Sequence, residues 1–189
     1  MEPQRLVRLA LIAEGGLALL ALALGAVSER ALPPGAFAAS LPAIAAGFIA
    51  PLPLMVLGQL AHQGYEHGSG LLHRSYRQMV EVLRPALGST VTRMNWWQIN
   101  TVSIAAGVGE EMLFRGVLQA WLGLWITSLL FGLAHAMNAT YFLVTVGVGL
   151  YFGALYEWSG NLWTPIIAHA VYDVVAFYAL RQLFARPRA

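Results

Sequence analysis

Long apolar runs separated by short polar segments dominate the pattern of the chain. A helix needs roughly 20 apolar residues to cross the hydrocarbon core of a bilayer, and most of the runs reach that length. Six transmembrane helices are predicted, over 6–27, 37–61, 96–120, 121–137, 141–158 and 162–184. Pro42, Pro51 and Pro53 predict a kink in the second run. The fourth run is short, and Gly123 within it predicts a tight helical hairpin.

The polar segment 62–93 contains one further periodic element. Its apolar residues recur at helical spacing, while arginine, glutamine and glutamate cover the opposite face. We expect a short interfacial helix that Pro85 ends, and we favour a membrane anchor over a gate or substrate-docking surface. The apolar positions are Leu72, Tyr76, Met79, Val80 and Leu83.

Composition agrees with an integral membrane protein. Hydrophobic residues make up 58% of the 189 residues and charged residues 11%, with a mean hydropathy of +0.63. Soluble domains carry about 25% charged residues, so a soluble enzyme and a disordered chain are both disfavoured. We therefore expect an all-α, polytopic membrane helix bundle. We expect a single membrane-embedded domain, with two spans and the amphipathic loop in 1–93 and a helix core in 94–184.

Several reaction classes and partners are excluded by residue counts. The chain has no cysteine, no lysine and a single aspartate, Asp173, which removes thiol chemistry, lysine Schiff bases and a two-aspartate dyad. The formal net charge of +2 is too small to indicate nucleic-acid binding. The expected partner is the lipid bilayer. The oligomeric state is left open.

The arginine positions predict the orientation of the bundle. They cluster before the first span, in the 62–93 loop and at the C-terminal end, so the positive-inside rule places both termini and that loop in the cytoplasm. These residues are Arg5, Arg8, Arg74, Arg77, Arg84, Arg93, Arg181, Arg186 and Arg188. The absence of lysine and the abundance of alanine, glycine and leucine are typical of a GC-rich prokaryotic gene. The expected location is therefore a prokaryotic plasma membrane.

Ionisable residues inside three of the predicted spans are the candidate functional residues. Charge is costly in a bilayer, so an intramembrane ionisable residue indicates function by default. The third span carries two glutamates and an arginine, the fourth a histidine, and the sixth a histidine and an aspartate. They are Glu110, Glu111, Arg115, His135, His169 and Asp173.

Helical spacing predicts different roles for the two glutamates. Glu111 and Arg115 are four residues apart and can pair on one face. Glu110 is rotated by about 100° and has no cation one turn away, so it is the candidate for proton transfer. His169 and Asp173 also share a face. Together with His135, these residues can activate a water or bind a metal that does so.

Non-enzymatic functions are also consistent with intramembrane charges. The residues could make interhelical contacts in a scaffold or immunity-type protein, or relay protons in a proton-coupled transporter subunit. Glu14 in the first span could face the cavity or pair with Arg115 or a hydroxyl, and Gly15 and Gly16 beside it allow close helix approach.

Two features of the 62–93 loop offer weaker alternatives. Ser69 between two glycines suggests a serine protease, but it lies in the polar loop and no complete nucleophile motif surrounds it. His62, His67 and His73 match no standard metal-ligand spacing, and solvated loop histidines are the favoured interpretation.

The three spans resemble the CAAX-protease and bacteriocin-processing family of intramembrane proteases, also called the Abi family. The family pattern is Glu-Glu-x-x-x-Arg, then Phe-x-x-x-His, then His-x-x-x-Asn or Asp on successive helices. Here these motifs are Glu110 to Arg115, Phe131 to His135, and His169 to Asp173, and they cover about residues 94–180. The resemblance implies peptide-bond hydrolysis in or beside the membrane, with a membrane-associated protein or peptide substrate as the expected partner and with 94–184 as the catalytic helix core.

The resemblance also implies roles for the site residues. Glu110 and His135 would act on the catalytic water, and His169 with position 173 would stabilise the oxyanion. An ionised Asp173 would repel an oxyanion, so it would instead hold the tautomer of His169 or ligate a metal. A glutamate mechanism without cofactor is favoured over a metallo-type mechanism. Zinc held by Glu110, His135, His169 and Asp173 is the alternative.

Overall fold

The computed structural model describes residues 1–28, 30–38, 40–63, 65 and 68–186. Within these ranges all regular secondary structure is helical. The elements are α1 (Pro3–Ala26), α2 (Leu41–Ile49), α3 (Leu52–Gln63), α4 (Leu71–Val91), α5 (Trp96–Leu113), a π-helical turn (Phe114–Leu118), α6 (Gln119–Ala134), α7 (Ala139–Ser159) and α8 (Trp163–Ala185).

Five helical segments among the described residues are long and apolar enough to cross a membrane. They are Pro3–Ala26, Leu41–Gln63, Trp96–Ala134, Ala139–Ser159 and Trp163–Ala185. The prediction of an all-α, polytopic membrane bundle is therefore confirmed. The third and fourth predicted spans are joined in one stretch of 39 residues, Trp96–Ala134.

Gly123 divides this 39-residue stretch into two arms. Its φ of 76° and ψ of 170° are not helical and lie in a region that favours glycine. The second arm, residues 124–134, is only about 17 Å long at 1.5 Å per residue, so it is shorter than the roughly 30 Å hydrocarbon core. The predicted hairpin at Gly123 is thus present, and its second limb is a half-span that ends beside His135.

The proline-rich second span consists of two helices. α2 starts with Leu41 and Pro42, where a proline fits because the first helical N–H has no partner. Pro51 separates α2 from α3, and Pro53 lies in the first turn of α3. The predicted kink is therefore located at Pro51.

The amphipathic helix α4 does not end at Pro85, as the sequence had predicted, but continues to Val91. A proline inside a helix removes one backbone hydrogen bond. Leu83, Gly88 and Val91 are nevertheless buried around it, and this packing stabilises the last two turns. Tertiary burial thus overrides the local stop signal.

Helix α5 packs between α1 and α8 through its glycines. A side chain at Gly107 would meet the backbone of Ile166 and Ala170 in α8, and one at Gly109 would overlap the backbone of Glu14 in α1. The sequence had suggested Gly15 and Gly16 as the sites of close approach, but a Cβ added at either would meet no neighbouring atom within 4 Å. The close contact between α1 and α5 depends on the glycine of α5.

The ends of several helices meet on one face of the bundle. Arg93 binds Glu2 and the Met1 carbonyl at 2.9 Å, and Arg84 donates to the carbonyls of Leu183 and Phe184 at the end of α8. The beginning of the chain, α4 and the end of α8 therefore share a face. This matches the arrangement that the arginine distribution predicts, in which these segments lie on the same side of the membrane.

Candidate active site

The two adjacent glutamates of α5 lie in the interior of the bundle. Glu110 is 8% exposed and Glu111 is fully buried. Because neighbouring residues of a helix differ by about 100°, the two carboxylates point to different partners. Glu111 contacts the buried side chains around α8, whereas Glu110 lines an internal cavity.

Glu111 is the centre of a buried group of charges. Its Oε1 lies 3.1 Å from Arg115 Nη1, so the ion pair predicted from the four-residue spacing is present. Arg115 Nη2 donates to the Gly149 carbonyl of α7 at 3.0 Å, and its guanidinium lies over the Phe131 ring at 4.6 Å. Arg115 belongs to the π-helical turn, a feature common at functional sites. These contacts tie α5 to α6 and α7.

The same oxygen of Glu111 contacts His169, which the sequence had not predicted. His169 Nδ1 lies 2.8 Å from Glu111 Oε1 and donates to it. His169 Nε2 therefore faces the cavity, 3.6 Å from Asp173 Oδ2 and 4.0 Å from Glu110 Oε2. The sequence had assigned the orientation of His169 to Asp173. In the structure the shorter contact, and hence the orienting one, comes from Glu111.

Glu110 and His135 face each other across α5 and α6. His135 Nε2 lies 3.4 Å from Glu110 Oε1, and His135 Nδ1 donates to the Phe131 carbonyl at 2.9 Å. A neutral imidazole that donates from Nδ1 has a lone pair on Nε2, so two acceptors face each other in this pair. A proton shared between the two groups, or a water molecule that donates a hydrogen bond to each of them, satisfies both acceptors.

These residues line one cavity of about 410 Å³. Four predicted site residues, Glu110, His135, His169 and Asp173, line it together. Glu111 and Arg115 are not among the residues that line the cavity, and both are buried in the bundle. Glu110 Oε2 is buried and has no hydrogen-bond partner among the described residues. The cavity thus has a largely apolar lining that includes a carboxylate oxygen without a hydrogen-bond partner.

Helix α4 forms part of the cavity wall, so the anchor interpretation was incomplete. Residues Tyr76, Met79, Val80, Leu83 and Leu87 line the cavity from α4. Thr140 donates to the Gln78 side chain at 2.5 Å, and this bond joins α4 to the start of α7. The helix therefore closes one side of the cavity in addition to lying between two spans.

The loop histidines are less solvated than the sequence had suggested. His62 Nδ1 lies 3.2 Å from the Tyr76 hydroxyl, and both residues line the cavity. Burial raises the pKa of Tyr76, and the neighbouring Tyr65 adds to the rise, so the hydroxyl keeps its proton. His73 Nδ1 contacts the Ala61 carbonyl at 3.2 Å. His67 lies outside the described residues.

An aromatic residue that sequence reasoning missed supports His169. The Phe152 ring stacks on the imidazole with 5.1 Å between centroids and an interplanar angle of 23°. Phe152 is fully buried on α7. It carries no polar group and stands among other apolar residues, so only the tertiary structure could identify it. Phe131, which the second motif includes, lies 4.5 Å from His135 by ring centroids.

The metal alternative requires that several of the site residues be placed as ligands of one ion. Among the described residues, no three histidine, aspartate or glutamate side chains are grouped so that they could hold a metal. A structural or catalytic zinc site requires at least three protein ligands at about 2.0–2.3 Å. As they are placed, Glu110, His135, His169 and Asp173 do not form such a set.

The fold and the site define a class: a polytopic helical membrane protein with a glutamate–histidine cluster inside the bundle. Residues 92–175, which contain all three motifs, match the family model described as Type II CAAX prenyl endopeptidase Rce1-like. The resemblance to the CAAX-protease and bacteriocin-processing family is therefore confirmed over this segment.

A bacterial protein shares part of the same sequence. The chain is 39% identical over 77 residues to the uncharacterized protein YpbD of Bacillus subtilis (strain 168). This match covers 39% of the chain and 41% of that relative. No solved structure matches the chain.

Proposed function

We propose that this protein is an intramembrane endopeptidase that hydrolyses a peptide bond of a membrane-associated protein or peptide. The observation that carries the proposal is the Glu110–His135 pair, with a carboxylate oxygen 3.4 Å from a ring nitrogen in a membrane-embedded cavity. The family match over residues 92–175 supports a protease, since that family is described as an endopeptidase.

The proposed mechanism begins with a water held between Glu110 and His135. Glu110 accepts a proton from this water, and the resulting hydroxide attacks the scissile carbonyl carbon. The C–N bond breaks as the tetrahedral intermediate collapses, and Glu110 returns the proton to the leaving amine. Glu110 therefore acts as a base first and as an acid second.

His169 is the proposed donor to the oxyanion. In its doubly protonated form it donates from Nδ1 to Glu111 and from Nε2 into the cavity. Asp173, 3.6 Å from Nε2, would repel an oxyanion directly but supports this charged form of the ring. Glu111 and Arg115 hold the arrangement in place. This assignment gives Asp173 a role that differs from the oxyanion contact that the family resemblance implies for position 173.

The proposal includes the orientation of the protein in the membrane and its cellular location. Both termini and the segment 62–93 would face the cytoplasm of a prokaryotic cell, as the arginine positions favour. The cavity wall formed by α4 would then be reached from the cytoplasmic side. A cysteine accessibility map, with single cysteines introduced into the cysteine-free chain, tests this orientation.

A cleavage assay of the purified protein in detergent tests the activity. The probes are a farnesylated peptide that ends in Cys-aliphatic-aliphatic-X and a hydrophobic peptide of the same length without the lipid. We expect cleavage of at least one probe, loss of cleavage in Glu110→Gln and His135→Ala, and full activity in the surface control Glu81→Gln. Cleavage that persists in both site variants would contradict the proposal.

Two additional arms separate the alternatives. A chelator that abolishes cleavage would favour a metal mechanism over the glutamate mechanism. Absence of cleavage by the wild-type protein, together with proton flux in liposomes that depends on Glu110, would favour the transporter alternative. Absence of both activities would favour a scaffold.

A further inference from the structure

Glu14 is a cavity carboxylate that the proposed mechanism does not use. It lies on α1, outside the segment that matches the family model, yet it lines the same cavity as Glu110, His135 and His169. The position of Glu14 is fixed by its backbone, which packs against Gly109, the residue before Glu110. The side chain is thereby directed to the site from a helix that carries none of the three motifs.

The partners that the sequence suggested for Glu14 do not contact it. Arg115 pairs with Glu111, and no ion pair or side-chain hydrogen bond joins Glu14 to another described residue. Oxygen Oε2 of Glu14 is buried and unsatisfied. A buried acceptor without a donor is costly, so the arrangement is stable when a ligand in the cavity supplies that donor.

A peptide substrate supplies such donors when its helix is unwound. Inside a bilayer every backbone N–H needs an acceptor, and non-helical backbone is tolerated only where protein or water provides one. Much of the surrounding wall is apolar and offers no acceptor, as at Val102, Ala106, Val144 and Val148. A carboxylate next to the catalytic pair can satisfy an amide that unwinding has exposed.

We propose that Glu14 binds the substrate by accepting a hydrogen bond from a backbone N–H next to the scissile bond. This inference rests on the proposed function and adds a substrate-binding residue to it. Glu14 acts on binding of the extended segment and takes no part in proton transfer. Loss of Glu14 therefore raises KM and leaves kcat nearly unchanged.

The test combines enzyme variants with modified peptides. A peptide that the wild type cleaves is prepared as a series, each member N-methylated at one amide that flanks the scissile bond. N-methylation removes one donor. At one position we expect KM of the wild type to rise about tenfold, because a hydrogen bond to a buried carboxyl oxygen is lost. In Glu14→Leu the same methyl group should change KM less than about twofold.

Two variants make the comparison specific. Glu14→Gln keeps an acceptor oxygen, so it should fall between the wild type and Glu14→Leu. Glu81→Leu makes the same change at an exposed position of α4 and should retain the wild-type response. Equal N-methyl penalties in the wild type and in Glu14→Leu at every position would overturn the proposal. A loss of kcat with unchanged KM would overturn it as well.

A binding measurement separates failure of this inference from failure of the proposed function. The fluorescently labelled parent peptide is titrated with Glu110→Gln and with Glu14→Leu/Glu110→Gln, neither of which is expected to cleave it. Weaker binding by about tenfold in the double variant supports the role of Glu14 even if the wild type shows no cleavage. Equal affinity of the two proteins contradicts that role, whatever the outcome of the cleavage assay.

Discussion

The helices α5–α8 and the helices α1–α4 contribute to one cavity in different ways. The first group carries all the motif residues, and the family match over residues 92–175 lies almost entirely within it. The second group supplies part of the wall, including Glu14, His62 and Tyr76. This division suggests that the chemistry belongs to α5–α8, whereas substrate binding also depends on α1–α4.

The largest effect is expected for the proposed general base in α5. Glu110→Gln should lower kcat by about 10²–10⁴-fold, because an amide cannot accept the proton from water. The measurement is steady-state cleavage of the peptide probe. Glu14→Gln in α1 serves as the comparison and should change mainly KM. Similar losses of kcat in both variants would show that catalysis is shared between the two groups of helices.

The second effect concerns the buried ion pair of the motif helices. Arg115→Met should destabilise the protein by about 3–5 kcal/mol, because it leaves the Glu111 carboxylate buried without its cation. The double variant Glu111→Gln/Arg115→Met removes both charges and should recover part of the loss. Thermal unfolding in detergent measures both changes. A double variant that is no more stable than Arg115→Met would contradict this account.

The third effect concerns the contact between the two groups of helices. Gly109→Ala places a methyl group against the backbone of Glu14 and should cost about 1–3 kcal/mol, since the helices must separate. Gly15→Ala has open space and is the matched control, with an expected change within about 0.5 kcal/mol. Equal stabilities of the two variants would show that α1 does not depend on this contact.

The smallest effect is expected where α4 meets α7. Gln78→Ala removes the hydrogen bond from Thr140 and should cost about 0.5–1.5 kcal/mol. Hydrogen exchange over residues 71–91 measures the local change, and faster exchange is expected. Gln63→Ala, at the exposed end of α3, is the control and should leave exchange in α4 unchanged.

Much of the fold follows from hydropathy and spacing. The apolar runs predicted the membrane helices, and the spacing of Glu111 and Arg115 predicted their ion pair. These features depend on local periodicity, which is readable in a sequence. The hairpin at Gly123 was also predictable, because only a few residues besides glycine tolerate a positive φ.

Features that depend on tertiary contacts could not be predicted in the same way. The hydrogen bond between Glu111 and His169 joins residues 58 positions apart. Because of this bond, Glu111 orients the His169 ring, a role that the sequence had assigned to Asp173. The burial of α4 beyond Pro85 and the placement of Glu14 against Gly109 also require the packed helices. Propensity and motif spacing carry no information about which faces of distant helices meet.

The half-span that begins after Gly123 has a consequence for where a substrate would be cut. Its length of about 17 Å is roughly half the thickness of a hydrocarbon core, so an arm that begins at the membrane surface would hold His135 near mid-depth. Glu110 lies near the middle of residues 96–122, so a second helix gives the same depth independently. The length of the short arm would therefore determine the depth of cleavage. The bond that the proposed protease cuts would lie a fixed distance below the membrane surface. Lengthening or shortening this arm by one helical turn would move His135 by about 5.4 Å relative to Glu110.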